Sequence, residues 1–383
     1  MLAMLNCLAP GGRLRNFSRR SIIMVSITVA LALALIAYVT RSAPRILDES
    51  ARQRVVLELS EVLRNEYVYP DIGAKAAARI SASHAAGQYN GLSDGVAFAA
   101  QLSSDLAEIT RDKHLKVLWK DLPRQPITGS ARPLEQAGIS RADKLPGGVG
   151  YIEIIGFPRL SAYKPVLDTI MLALKDSRGL IIDVRRNRGG DPESVAYFVS
   201  YLMTSTPARE ISSIIMRTPG TTAFERVRQY NQPTPITFAN RPIYVLTSNN
   251  TFSGGEELAY DVQSHKLGKI IGEITRGGAN PAGPVNLSDG IMAVIPFGRT
   301  EDPITKSNWE GKGVQPDVQV PSTDALKVAL QKFGQAPVSG IHDASIEQVF
   351  APRPKRSFWS VVGALVAFTV AVLLLVRLRK RRQ

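Results

Sequence analysis

Pro242-Ile-Tyr-Val-Leu-Thr-Ser-Asn-Asn-Thr-Phe-Ser-Gly-Gly-Glu-Glu257 changes its hydrophobic period halfway along. Ile243–Leu246 is a short apolar run of β-formers, whereas Leu258, Ala259 and Val262 beyond the stretch recur at helical spacing. Ser253 therefore falls on a strand-to-helix turn, with its hydroxyl at the positive end of a helix. Two readings fit that position. Ser253-Gly-Gly-Glu256 is a capping box, in which Ser253 caps the helix and Glu256 reaches back to it. A serine at the same place can also serve as a nucleophile, and the rest of the chain has to decide between them.

The chain has 383 residues, 44% of them hydrophobic and 21% charged, which is enough to bury a large core. Its net charge of +14 suggests nucleic acid until the charges are located. Residues 1–41 and 357–383 each hold five Lys/Arg and no acid, leaving only +4 for residues 42–356. The middle of the chain is not a basic nucleic-acid binder.

Both ends read as membrane segments. Residues 21–40 and 357–376 are uncharged runs of 20 residues, and at ~1.5 Å per residue each reaches the ~30 Å of a hydrocarbon core. The first run is longer than the h-region of a signal peptide, and no clear small-x-small cleavage site follows it. Arg13, Arg15, Arg19 and Arg20 precede it, and Arg377, Arg379, Lys380, Arg381 and Arg382 follow the second, so the positive-inside rule places both termini in the cytoplasm. The expectation is a two-span membrane protein whose middle lies on the extracytoplasmic, periplasmic side. Cys7 is the single cysteine and precedes the first run, so the exported part contains no disulfide.

Within that part, Val55, Val56, Leu59, Val62 and Leu63, and later Phe98, Leu102 and Leu106, follow a helical period. This predicts a helical subdomain over 46–118. Residues 119–147, rich in Pro and Gly, read as a connecting loop. From 148 to 335 strands alternate with helices, which predicts an α/β core with a mostly parallel sheet. Residues 336–356 read as a linker.

Just after the buried run Gly179–Val184 stands Arg185-Arg-Asn-Arg-Gly-Gly-Asp-Pro192. Paired glycines between a strand and a helix let backbone N–H groups gather negative charge, as an oxyanion hole does, or simply make a tight turn. No G-x-G-x-x-G or Walker pattern is present, and Thr251 stands where a hydrolase elbow has its first glycine. None of the four histidines has a metal-ligand spacing. His84, His265 and His342 read as ordinary histidines, and His114 lies beside Asp112 and Lys113 at the end of the helical part.

The order of motifs resembles the tail-specific, C-terminal processing serine peptidases. Gly-Leu-Ile-Ile-Asp-Val-Arg-x-Asn-x-Gly-Gly is followed by Thr-x-Ser-x-Gly-Glu-Glu, Ile271-Gly-Glu-Ile-Thr275 and Asn308-Trp-Glu-Gly-Lys-Gly-Val-Gln-Pro-Asp317. Leu92–Val117 and Asn308–Asp317 are most similar to the branch of tricorn-like peptidases and the interphotoreceptor retinoid-binding protein. The resemblance covers about residues 47–335. It implies a spiral α/β core akin to the crotonase and Clp peptidase folds behind N-terminal helices, and a serine endopeptidase that needs no cofactor or metal. It assigns Ser253 as nucleophile, His114 as base, Glu310 as the residue orienting His114, and the amides of Gly254 and of Gly189 or Gly190 as the oxyanion hole. Gly278 stands where many members carry a lysine base, and Arg188 where they carry glycine. The 115–147 connection is too short for the PDZ-like module many members insert.

The expectation is thus a membrane-anchored Ser-His-Glu peptidase acting on peptide or protein substrates. The alternative of another class is a non-catalytic module that binds an apolar ligand or a partner protein.

Overall fold

The computed structural model describes residues 47–120 and 136–336. The two predicted spans lie outside the described residues. Among the described residues no helix is long and apolar enough to cross a membrane.

Three helices open the described residues. α1 (Glu49–Glu66) is capped by Asp48, whose carboxylate accepts the Ala51 N–H at 2.8 Å, and α2 (Pro70–Ala85) starts on a proline that needs no N–H partner there. α3 (Gly95–Thr110) is capped by Asp94 and stops at Arg111, whose φ of +52° breaks the helical repeat. Leu59, Leu63, Ile80, Phe98, Leu102 and Leu106 turn inward and are fully buried. Strand β1 (Lys116–Trp119) follows directly.

The core is a six-stranded sheet. In chain order come β2 (Ile139–Leu145), β3 (Val149–Ile154), α4 (Leu160–Ala173), β4 (Leu180–Asp183), α5 (Pro192–Ser200), β5 (Glu210–Arg217), β6 (Phe224–Tyr230), β7 (Ile243–Thr247), α6 (Gly254–Ser264) and β8 (Lys269–Gly272). Then come β9 (Ala282–Asn286), β10 (Ile291–Pro296), β11 (Gly298–Glu301), β12 (Val318–Gln319) and α7 (Ala325–Lys332). The central sheet runs β12-β8-β7-β4-β3-β2, parallel throughout except for β2 on the edge. Side chains alternate across it. Ile152, Ile154, Leu180, Ile182 and Val245 pack with α4, α5 and α6 on one face, and Tyr151, Ile181, Leu246 and Ile271 pack with α7 on the other. Parallel strands covered on both faces read as continuous apolar runs, which is why β3 and β4 were visible in the sequence.

Two departures from the sequence reading have physical causes. The segment read as a 119–147 loop contains β2, whose polar Ser140, Arg141, Asp143 and Lys144 suit an antiparallel edge with one solvated side. The subdomain boundary is also crossed. β1 pairs with β10, β10 with β9, and Ile291, Ala293 and Ile295 of β10 sit in the same apolar cluster as the three helices. A third sheet, β11-β5-β6, stands beside the core.

In the parallel sheet β3, β4, β7 and β8 end at the same edge. The loops after them carry Phe157, Gly189 and Gly190, Ser253, and Gly277 and Gly278 into one neighbourhood, which is where open α/β sheets place their ligands.

Candidate active site

Ser253 is in a conformation that an ordinary cap does not require, with φ +54° and ψ −121°. Positive φ in a non-glycine residue is held only when its surroundings enforce it. Here the enforcing group is Glu256. Its carboxylate accepts the Ser253 N–H at 2.9 Å, the Gly278 N–H at 2.9 Å, the Gly277 N–H at 2.5 Å and the Thr275 hydroxyl at 2.5 Å. Burial pushes the Glu256 carboxyl upward while these four donors pull it down. Ser253 and Glu256 thus form the predicted capping box, and the Glu256 N–H also donates to the Ser253 carbonyl at 2.8 Å.

The glycine turn faces that serine. Gly189 has φ +98°, and a Cβ on it would come within 2.6 Å of the Ser253 Cβ, so only glycine permits the approach. Gly190, at φ +141°, lies as closely against the backbone of Phe157. The two amides differ in use. The Gly189 N–H donates to the Asn187 side-chain oxygen at 2.8 Å, whereas among the described residues the N–H groups of Gly190 and Gly254 donate to nothing. Of the two glycines named from the sequence, Gly190 is thus the one with an amide to offer beside Gly254. Asn187, fully buried, also donates to the Ile154 carbonyl at 3.0 Å, and its own carbonyl accepts the Phe252 N–H at 3.1 Å. It staples the ends of β3 and β4 to the serine turn. Sequence reasoning gave it no role, although it stands inside the Arg-x-Asn-x-Gly-Gly motif. The Arg188 side chain is exposed, its N–H lying 3.3 Å from the Ile155 carbonyl.

An open cleft of about 530 Å³ is lined by Ser253, Gly190, His114, Gly278 and Trp309. Ile214 and Met216 of β5 and Val227 of β6 form an apolar wall, and the buried Glu257 lines the same cleft. His114 comes from the turn between α3 and β1. Its N–H donates to the Asp112 carboxylate at 2.9 Å, and its ring packs on Phe252 with centroids 4.4 Å apart. Asp112 is buried and also accepts the Tyr67 hydroxyl at 3.2 Å and the Asn280 amide at 2.8 Å, tying the helical part to the core at the histidine. Burial pushes the imidazole below its ordinary value; Asp112 raises it, and Lys116 and Arg276 lower it. Its Nδ1 is buried and has no hydrogen-bond partner among the described residues.

Gly278 shows why no lysine stands there. A Cβ at this position would come within 2.3 Å of the Phe252 ring and 2.9 Å of His114. The two packed rings fill the volume a longer side chain would need.

Glu310 is less directly placed. Its carboxylate accepts the Ala279 N–H at 2.5 Å, and burial, helped by Asp112 and Glu256, pushes it up to about 7. The structure brings His114 and Ser253 to one cleft and Glu310 to the adjoining loop, and draws no hydrogen bond among the three. Among the described residues no group of three or more His, Cys, Asp or Glu is arranged to hold a metal.

A strained serine at a helix start, backbone amides beside it and a half-buried histidine across a cleft lie together at the edge of a parallel sheet. Residues 148–320 match the family model described as peptidase family S41, and residues 41–138 match that of the N-terminal domain of the S41 peptidase in eukaryotic IRBP. The chain belongs to the S41 peptidase family. Among solved structures it is similar to a lipoprotein from Streptococcus agalactiae, at 16% identity and a TM-score of 0.52, covering 74% of this chain and 96% of that one. It is also similar to a candidate peptidase from Parabacteroides merdae, at 18% identity and a TM-score of 0.51, covering 78% and 97%. At such identities the likeness establishes the fold.

Proposed function

We propose that the chain is an exported, membrane-tethered serine endopeptidase working through Ser253, His114 and Glu310. The observation that carries this reading is the strained Ser253 between the idle N–H groups of Gly190 and Gly254, in a cleft shared with His114. The Ser253 hydroxyl attacks a peptide carbonyl while His114 takes its proton. The oxyanion that forms is held by the two amides, each worth roughly 10²–10³ in rate by analogy with measured oxyanion-hole donors. Collapse expels the amine, which leaves with the proton from His114, and water then hydrolyses the acyl-serine by the same steps in reverse. Glu310, whose carboxylate accepts the Ala279 N–H in the loop adjoining the cleft, supports the imidazolium once it closes a distance that free enzymes often leave long.

A non-catalytic binding module would have no use for a strained serine flanked by unpaired donors. The tether rests on the two 20-residue apolar runs, which put the cleft on the periplasmic side with both termini in the cytoplasm. A fluorophosphonate probe on the full chain tests the chemistry. Wild type should label, Ser253→Ala should not, and His114→Ala should label on the order of 10³-fold more slowly. Equal labelling of wild type and Ser253→Ala would end the proposal.

A further inference from the structure

A second concavity, about 690 Å³, lies between α3 and β1 on the far side of the His114 turn from the cleft. Its floor is the small-residue face of α3 (Ala99, Ala100, Ser103, Ala107), and Val96 and Leu118 stand in it 45% and 40% exposed. Four cations border it: Arg111, Lys113, Lys116 and Arg276. The one acid among its lining residues, Asp112, is buried, and its carboxylate is already engaged by the His114 N–H, the Tyr67 hydroxyl and the Asn280 amide. Among the described residues the concavity is apolar at its base, and its rim carries these four cations.

At the neighbouring strand edge the Ser103 hydroxyl accepts the Val117 N–H at 2.8 Å and lies 3.0 Å from the Val117 carbonyl and 2.9 Å from the Ala99 carbonyl, so an incoming chain meets an occupied edge at Val117. Recognition has to run through side chains. The wall toward the cleft is thin: the Lys113 ammonium bonds the Arg276 carbonyl, the Arg276 guanidinium lies 5.1 Å over the Phe252 ring, and Phe252 packs on His114.

We propose that this groove docks a peptide segment carrying acidic side chains among apolar ones, next to the cleft where a substrate is cut. Charge complementarity selects the occupant, since exposed cations around an apolar base favour carboxylates attached to apolar neighbours. The groove stands apart from the chemistry, and only its consequence for substrate choice rests on the peptidase reading.

The test uses the full chain with Ser253→Ala, so that binding is read without cleavage. The probes are a fluorescein-labelled peptide alternating Glu with Leu, its Gln-for-Glu counterpart, and vesicles containing phosphatidylglycerol. The acidic peptide should bind about tenfold or more tightly than the Gln peptide, with the advantage shrinking as salt rises. Leu118→Glu and Ala100→Glu, both at exposed positions, should each abolish that preference. With Ser253 intact, the same changes should bring the ratio of KM for matched Gln and Glu substrates to about one. Equal affinity for the two peptides, insensitivity to both variants, or a preference for the vesicles would overturn the proposal. Selective binding by Ser253→Ala without any hydrolysis by wild type would leave the groove standing and count against the peptidase reading instead.

Discussion

His114 is where the chemistry is most exposed to its surroundings. As a base it acts in the neutral form, so activity is present above its pKa and is lost as pH falls through it. Burial moves that pKa below the ordinary value near 6.5, and Lys116 and Arg276 push the same way against Asp112. We therefore expect kcat/KM to rise with pH on a limb lying below 6.5 and to be already flat at neutral pH. Lys116→Ala removes a neighbouring positive charge and should shift that limb upward. A limb centred at or above 7 would point to Glu310, whose carboxyl is held at about 7, as the titrating group.

At the scale of elements, α6 carries an internal cost. Glu257 and Asp261 lie one turn apart on it, both buried, and Asp302 faces them from the loop after β11. Burial pushes Glu257 up to about 7, with Asp191 adding to the shift, and pushes Asp261 well above the carboxylate range, with Glu257 and Asp302 adding to it. Neither Asp261 oxygen has a hydrogen-bond partner among the described residues. The sign follows from linkage. The folded state holds protons that the unfolded state has already released, so stability falls as pH rises from the unfolded value near 4.5 through about 7. Glu257→Gln should raise stability at pH 8 by on the order of 3 kcal/mol or less, and flatten the pH dependence of urea unfolding across that window. An unchanged slope would show that Glu257 ionises freely.

For the whole molecule, the proposed tether and the proposed exported position of residues 42–356 make one prediction together. Reporter fusions at residue ~10 and at the C-terminus should both read cytoplasmic, and one near residue ~130 should read exported, because the basic flanks stay on the inner side. A C-terminal reporter found outside would remove the second span. The +4 charge of residues 42–356 predicts in addition no general affinity for nucleic acid.

The sequence by itself determined those features that depend on local period and turn chemistry. The buried strands β3, β4 and β7 and the turns that place Ser253, Gly189 and Gly190 could all be read from neighbours a few residues apart. The polar edge strand β2 could not, because its pattern carries no apolar period. Nor could the sharing of β9 and β10 with the helical subdomain, since strand pairing between Lys116 and Val294 leaves no trace in either segment alone. Only the tertiary structure decided which glycine amide is idle, that Asp112 bridges Tyr67, His114 and Asn280, and that Phe252 and His114 together fill the space beside Gly278. Each of these depends on the distance between segments far apart in the chain, which packing sets and local sequence does not encode.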